Sequence, residues 1–456
     1  MKQLPWFFGL LAGILFCCRA TQLTTPQILA VGIFAGFILG TLFYWQFRLA
    51  FALIGTTCLL AARVIDIPHL VQFANLDIIL FLIAMMLVVG FLEERKFFEV
   101  LLERILASVD RMPHLLFAAM MALAMLSAAL VDEVTSILFM ASLTLHLTRR
   151  FKLDPFPFIL MIVMATNIGS SATVVGNPIG VLIALRAGLS FSDFLRWATP
   201  ISLASLLLTI GICFLYFRKP LAALAQAIEK SRGEPIEVER FSHKQFRIAG
   251  LLFGATILGL ALHHQVEHLL GLPKNTLLLG IPFFMAGVAL LIEREKARDL
   301  VEKRVDWWTL SFFLFLFASV GTLHYVGVTD RIAGALRGMA GSSEGLMLGL
   351  ILLLSGTLTA FLDNILVVAT FIPIVADLGA SGFPIGGLWW AILFGGTFGG
   401  NATMIGSTAN IVAIGMLEKE KIPVRFSRWL GPGLAVTLPT LLLAFLLLLA
   451  QLPMLH

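Results

Sequence analysis

Three carboxylic side chains stand in the middle of long apolar runs. Asp132 and Glu133 divide one such run, and Asp363 divides another. An ionisable side chain at membrane depth costs several kcal/mol, so each of these residues is a candidate for carrying a proton or holding a cation. Neighbouring Thr135 and Asn364 add a hydroxyl and an amide. We expect ion or proton coupling at Asp132, Glu133, Thr135, Asp363 and Asn364.

Two polar, glycine-rich segments interrupt hydrophobic spans downstream of these carboxylates. Residues 166–178 read Thr-Asn-Ile-Gly-Ser-Ser-Ala-Thr-Val-Val-Gly-Asn-Pro, and residues 399–410 read Gly-Gly-Asn-Ala-Thr-Met-Ile-Gly-Ser-Thr-Ala-Asn. Aligned on Gly169 and Gly399, the segments share Gly-x-x-Ala-Thr-x-x-Gly without a gap. In hydrocarbon every backbone N–H and C=O needs a partner, so a helix is interrupted only where protein or a water-filled cavity takes over. The pair predicts two broken helices in an internal repeat.

Broken helices offer the chemistry of a transport site. Unwinding frees carbonyl oxygens for a cation, and half-helix amino termini favour an anionic group. Close helix packing is the ordinary use of glycine, serine and threonine in membranes. Two matched copies, each beside an intramembrane carboxylate, favour a binding site instead. The candidate substrate- or ion-binding residues are Asn167, Gly169, Ser170, Ser171, Thr173, Asn177, Gly400, Asn401, Thr403, Ser407 and Asn410.

The composition is that of a polytopic membrane protein. Hydrophobic residues make up 59% of the 456 residues and charged residues 13%, about half the share typical of a soluble domain. Most of the 32 Lys and Arg residues cluster at alternate loops. That distribution sets orientation in a membrane and argues against a nucleic-acid-binding face, despite the net charge of +5. It predicts a multi-pass protein of the cell membrane (inner or plasma membrane), with a cytoplasmic amino terminus and the carboxyl terminus outside.

The hydrophobic spans predict an all-α fold of about 11 transmembrane helices in two inverted repeats. The predicted segments are an N-terminal helix or signal-like stretch, a first repeat, a cytoplasmic linker and a second repeat. Their bounds are 1–26, 27–217, 218–246 and 247–456. Residues 1–20 also fit a cleaved signal peptide, and both alternatives stay open.

Two other features are open to more than one interpretation. The stretches 114–149 and 344–379 are each long enough for two full crossings or for one re-entrant hairpin, and composition alone does not separate these. His263, His264, Glu267 and His268 are interpreted as surface residues of an outer loop, because their spacing is not a dependable metal site. The four cysteines lack paired spacing for zinc or disulfides.

The paired segments resemble the ion transporter superfamily, over nearly the whole chain after about residue 27. The likeness is greatest to the branch with ArsB-type arsenite permeases, NhaD-type sodium/proton antiporters and the melanosomal P protein, which share a CitM-type permease fold. The resemblance rests on Asp363-Asn364 and on the two polar segments. It implies re-entrant hairpins whose tips face the breaks, a scaffold and a mobile transport domain, elevator-type motion and often a homodimer.

Three departures from the branch pattern concern the first site. Glu133 replaces the asparagine expected after Asp132, Asn177 replaces an acidic residue, and Ile179-Gly180 stands where Pro-Asn is usual. The first site is therefore expected to bind a different ion, or to handle a proton differently, from the rest of the branch. For this reason the substrate of a branch member should not be assigned to this protein by analogy.

The function we predict is ion-coupled (H+ or Na+) secondary active transport of a small, anionic or oxyacid solute, as in arsenite, anion and carboxylate permeases. The alternative is a Na+/H+ antiporter, in which the carboxylates themselves are the transported site. A channel and an intramembrane aspartyl protease are remote, since neither Asp132 nor Asp363 has the Tyr-Asp or Gly-x-Gly-Asp context of those proteases. We expect no enzyme activity, no catalytic residue, no cofactor and no metal beyond Na+ as a coupling ion. The substrate, the stoichiometry, the direction of coupling and the oligomeric state stay open.

Overall fold

The computed structural model describes residues 4–21, 23–98, 100, 113–230 and 243–455. Within these residues the regular elements are helices and no strand is present, which confirms the all-α class. The charged part of the predicted linker, residues 231–242, lies outside the described residues.

The first half of the chain contains helices that precede, form and follow the first polar segment. They are α1 (Leu4–Ala20), α2 (Thr25–Phe43), α3 (Arg48–Ala61), α4 (Ile67–Phe73), α5 (Leu76–Glu94), α6 (Pro113–Leu130), α7 (Glu133–Arg150), α8 (Phe156–Gly169), α9 (Pro178–Ala187), α10 (Phe191–Tyr216) and α11 (Arg218–Lys230). Helix α10 includes a π-helical turn at Phe194–Ala198.

The second half repeats the order of elements around the second polar segment. Its helices are α12 (His243–Leu270), α13 (Thr276–Glu293), α14 (Ala297–Arg304), α15 (Trp307–Tyr325), α16 (Val328–Ala340), α17 (Glu344–Thr359), α18 (Asn364–Ala380), α19 (Gly386–Phe398), α20 (Thr408–Lys419) and α21 (Phe426–Gln451).

Seven helices among the described residues are long and apolar enough to cross a membrane. The others that are apolar are shorter, between 10 and 17 residues. Two of these, α8 and α9, are the halves of the first broken helix. The total of about 11 crossings stays a prediction.

The interruptions fall where the polar segments predicted them. Helix α8 ends at Gly169 and α9 begins at Pro178, while α19 ends at Phe398 and α20 begins at Thr408. Proline at the first position of α9 suits a helix start, because its missing N–H has no intrahelical partner there. We call residues 170–177 the first break and residues 399–407 the second break.

Contacts divide the chain into two compact units. The first comprises Met1–Ile83, Val305–Met347 and Ala369–Ile385, and the second Ala84–Arg304, Leu348–Val368 and Gly386–His456. The second unit holds all the predicted site residues. The repeat boundaries are a separate property, since internal symmetry does not require a repeat to be compact, and they stay a prediction.

The interpretation of the α12 histidine cluster as surface was wrong for two of its four residues. His264 and His268 are exposed, but His263 and Glu267 are buried. These two lie one helical turn apart on one face of α12. The Glu267 carboxylate accepts hydrogen bonds from the backbone N–H groups of Asn275 (3.1 Å) and Leu277 (2.7 Å), so it caps the start of α13 from within the fold.

Candidate functional site

The tip of the first hairpin, formed by α6 and α7, is closed by Asp132. Its backbone is extended, and its carboxylate accepts the N–H groups of Val134 and Thr135 at 2.8 Å each. This is the N-cap arrangement, which satisfies two donors that the helix leaves open. The Thr135 hydroxyl also interacts with Asp132. Glu133 follows as the first residue of α7 and is 2% exposed.

The tip of the second hairpin, formed by α17 and α18, has the same construction. The Asp363 carboxylate accepts the N–H groups of Ile365 (3.0 Å) and Leu366 (3.4 Å). Its second oxygen accepts the hydroxyl of Thr408 at 3.3 Å, from the first residue of α20. Asn364 is the first residue of α18 and is buried. Asp363 and Asn364 thus occupy the positions that Asp132 and Glu133 occupy at the first tip.

The two tips touch each other. The Asn364 amide donates to the Glu133 carboxyl at 3.2 Å, and Ser170 of the first break lies beside the same carboxyl. Hairpins that enter a membrane from opposite sides meet tip to tip only when both turn back inside it. With the inverted topology that the basic loops predict, the contact favours re-entrant hairpins over two full crossings.

The first break is held against the first hairpin by close backbone contact and by a hydroxyl. A side chain at Gly169 would meet backbone atoms of Met125 at 2.3–2.8 Å, so only glycine fits. The Thr173 hydroxyl donates to the carbonyl oxygen of Ala129, next to the hairpin tip. Asn177 caps α9 by accepting the Gly180 N–H at 2.7 Å, and its amide donates to the Ser170 hydroxyl at 2.9 Å.

The second break is held by matching contacts. A side chain at Gly399 would meet backbone atoms of Gly356 at 2.4–2.8 Å. The Thr403 hydroxyl donates to the carbonyl oxygen of Ala360, as Thr173 does to Ala129. Ser407 caps α20 by accepting the Ala409 N–H at 3.2 Å. Each repeat therefore fixes its broken helix to its own hairpin by a glycine contact and a threonine hydroxyl.

An amide cluster joins the last turn of α8 to the second break and the start of α20. The Asn167 amide donates to the side-chain oxygens of Asn401 (2.8 Å) and Asn410 (2.9 Å), and its own oxygen accepts the Ser407 hydroxyl at 3.0 Å. Asn410 in turn donates to the carbonyl oxygens of Gly400 and Thr403, both at 2.8 Å. All six residues are buried. Amide and hydroxyl side chains therefore hold the second break in shape.

Not every predicted residue faces the tips. The Ser171 hydroxyl contacts the hydroxyl of Ser202 on α10 at 2.8 Å, and Gly169 serves close packing. For these two residues the packing interpretation is the better one. The structure brings the other predicted residues together at the tips and along the breaks.

Sequence reasoning missed Thr408, Thr199 and Trp429. Thr408 reaches Asp363, the Thr199 hydroxyl donates to the Ala172 carbonyl oxygen at 2.7 Å, and the Trp429 indole donates to the Asn401 carbonyl oxygen at 3.2 Å. Thr408 lies inside the second polar segment, so its position in the sequence could have identified it as a site residue. Thr199 and Trp429 lie on α10 and α21, in helices whose sequences carry no mark of this contact.

The charges of the site set are one-sided. It contains three carboxyls, at Asp132, Glu133 and Asp363, together with amides and hydroxyls, and no basic side chain. Positive potential at the site comes from the amino termini of helices that begin at the tips or breaks, which are α7, α9, α18 and α20. Such a site suits a cation or proton directly, and an anion only through helix termini and neutral donors.

Comparison with known proteins places the chain among transporters. The family model described as citrate transporter matches residues 37–395. An uncharacterised transporter of Mycobacterium tuberculosis is 32% identical over 377 residues, which is 81% of this chain and 84% of that protein. The P protein of Homo sapiens is 25% identical over 494 residues, covering 91% of this chain and 58% of the P protein.

The fold has a counterpart among solved structures. The crystal structure of the Alcanivorax borkumensis YdaH transporter aligns with a TM-score of 0.58, covering 85% of this chain and 87% of that chain. The sequence identity is 17%, so this likeness concerns the fold alone. The sequence comparisons identify a transporter, and the long apolar helices support a multi-pass membrane protein.

Proposed function

This chain belongs to the citrate transporter family, and from that premise we propose a secondary active transporter that couples movement of a small anionic or oxyacid solute to H+. The observation that carries the proposal is the contact between Glu133 and Asn364 where the two hairpin tips meet. Coupling ion, solute class and direction are parts of this proposal.

Protonation of Glu133 is the proposed coupling event. The side chain is buried, and its neighbours at the tip are a neutral amide, a neutral hydroxyl and two further carboxyls. Burying an ionised carboxylate without a counter-charge is costly, whereas a protonated carboxyl needs only hydrogen-bond partners. Binding and release of one proton would therefore change how strongly the two tips hold each other.

The solute is proposed to bind along the breaks, beside the capped starts of α9 and α20. A bare anion there would face the carboxyls of Asp132, Glu133 and Asp363. It would gain only helix termini, hydroxyls and amides in return. We therefore propose that the anion arrives protonated or paired with a cation, which is also why a neutral oxyacid fits the site.

An elevator-type movement is proposed for the transport step. All predicted site residues, from both repeats, lie in one compact unit of the chain. A movement of that unit as a body would carry the complete site, which is what an elevator mechanism requires. A homodimer is proposed on family resemblance alone.

Na+/H+ antiport is the second candidate. The observation that favours it is the convergence of Glu133 with Asp132 and Asp363 at the tips, since three carboxyls and freed carbonyl oxygens supply hard oxygen ligands for Na+. In that case the breaks would form the cation cage, and no second solute would be needed.

Purified protein in proteoliposomes separates the two candidates. Arsenite, phosphate, sulfate, citrate and C4-dicarboxylates are offered under imposed pH, Na+ or Li+ gradients, with Asp132→Asn as the inactive control. Uptake of one solute that requires the pH gradient supports the proposal and identifies the solute. Collapse of the pH gradient by Na+ or Li+ alone, without any solute, supports antiport and contradicts it.

A further inference from the structure

A cavity of about 340 Å³ lies at the junction of α10 and α11. It shares no lining residue with the tips or the breaks. Its walls come from the start of α6, the end of α10 and the first three turns of α11. The basic loops of the sequence place this junction on the cytoplasmic side of the membrane.

Three of the lining residues are polar or basic. They are Arg218, His114 and Gln226. Arg218 is exposed, and neither Arg218 nor Gln226 has a hydrogen-bond or ion-pair partner among the residues that the structure describes. The guanidinium of Arg218 presents five donors in a planar fork that matches phosphate oxygens, so it suits a phosphate group.

The remaining lining residues are apolar. They include Phe214, Leu221 and Ala225, and the Phe214 ring packs against His114 with ring centroids 5.8 Å apart. Helix α11 is amphipathic: Leu221 and Leu224 are buried against the protein, while Arg218 and Lys219 are exposed. A helix of this kind lies in the plane of the membrane interface, between headgroups and acyl chains.

We propose that this cavity binds the headgroup of an anionic phospholipid of the cytoplasmic leaflet, with the phosphate at Arg218. The glycerol and the first methylenes of the lipid lie along Phe214, Leu221 and Ala225. Basic pockets on the cytoplasmic side attract anionic headgroups, because the cytoplasmic leaflet carries a negative surface potential. A free phosphate ion would contact only the polar lining residues and would leave Phe214, Leu221 and Ala225 without an apolar partner.

Lipid binding by the purified full-length protein tests the proposal. Native mass spectrometry in detergent compares phosphatidylglycerol, phosphatidylcholine and inorganic phosphate on wild type, Arg218→Ala and Lys219→Ala. Lys219→Ala is the matched control because it removes the same charge at the next residue, which does not line the cavity. We expect the wild type to bind phosphatidylglycerol in preference to phosphatidylcholine. Arg218→Ala is expected to bind phosphatidylglycerol about tenfold more weakly than the wild type, and Lys219→Ala with the same affinity as the wild type.

Three results overturn the proposal: equal binding of both lipids, equal loss in both variants, or full displacement of the lipid by inorganic phosphate. If Arg218→Ala does not give monodisperse protein, Ala222→Trp takes its place. Ala222 lines the cavity and is exposed, so tryptophan there fills the space without changing the charge. Retention of phosphatidylglycerol by Ala222→Trp at wild-type strength also overturns the proposal.

Discussion

The side-chain amide of Asn364 donates a hydrogen bond to the carboxyl of Glu133 at 3.2 Å. Each is the first residue of the helix that leaves its hairpin tip, and each follows an aspartate that caps that helix. The two repeats thus meet through equivalent positions that carry different side chains, one titratable and one not. This difference places the proton-binding group of the proposed mechanism in the first repeat alone.

Glu133→Gln is predicted to flatten the pH dependence of solute uptake while leaving the protein folded. Glutamine keeps the oxygen that accepts from Asn364 but binds no proton at the pH of the assay. Wild-type uptake changes with pH because the carboxyl must be protonated in one step and deprotonated in another. Initial rates across a pH series check this, and the exposed residue Glu418, changed to glutamine, is the control whose profile must match wild type. An unchanged profile in Glu133→Gln removes this residue from the coupling role.

Glu133 and Asn364 are predicted to be energetically coupled. The variants Glu133→Ala and Asn364→Ala and the double variant form a double-mutant cycle on the apparent affinity for the coupling ion. A buried hydrogen bond between them predicts a coupling energy of about 0.5–1.5 kcal/mol. Additive effects of the two single changes would show that the contact has no role in ion binding.

Gly169→Ala and Gly399→Ala are predicted to destabilise the protein or abolish its expression. The added methyl group would meet backbone atoms of Met125 or Gly356 under 3 Å away, and backbone cannot move aside as a flexible side chain can. Overpacking of this kind costs about 1–3 kcal/mol or more. Gly211→Ala and Gly415→Ala are matched controls in helices, since nothing lies within 4 Å of the added atom. Fluorescence-detected size exclusion after heating compares them, and equal survival of all four would contradict the close contact.

Thr173→Val and Thr403→Val are predicted to slow transport without unfolding the protein. Valine keeps the shape of threonine but loses the hydroxyl that ties each break to Ala129 or Ala360 at the neighbouring hairpin. Removing a buried hydrogen bond while its carbonyl partner stays is expected to cost about 1–3 kcal/mol, or roughly tenfold in rate if the contact forms during the transport step. Thr57→Val, which removes an exposed hydroxyl bonded within its own helix, should leave uptake at the wild-type rate.

Some features of the fold followed from local sequence and others did not. The breaks were predictable because Gly169, Gly176 and Pro178 disfavour a continuous helix. A helix in a membrane is interrupted only where its free backbone N–H and C=O groups find other partners. The depth of the hairpins was not predictable, because each arm is also long enough for a full crossing. The contact between Glu133 and Asn364, 231 residues apart in sequence, favours re-entrant hairpins, and no local sequence pattern contains it.

The same distinction holds for individual site residues. The cluster of Asn167 with Asn401 joins residues 234 positions apart, so the amides were predictable as polar groups but not as each other's partners. Ser171 and Ser170 are adjacent serines in the same polar segment, yet the Ser171 hydroxyl contacts Ser202 instead of the tips. His263 and Glu267 were misplaced because a polar residue near a predicted loop is usually exposed, whereas Glu267 caps the following helix from inside.

Proton and solute fluxes recorded together in the same proteoliposomes test the central claim most directly. The vesicles contain a trapped pH dye, start at equal pH on both sides, and receive an outward-to-inward gradient of the solute that the panel identifies. The account predicts that solute entry moves protons with wild type and with Glu418→Gln, and that Glu133→Gln loses this proton movement. Solute entry without proton movement in wild type, or unchanged proton movement in Glu133→Gln, would contradict it.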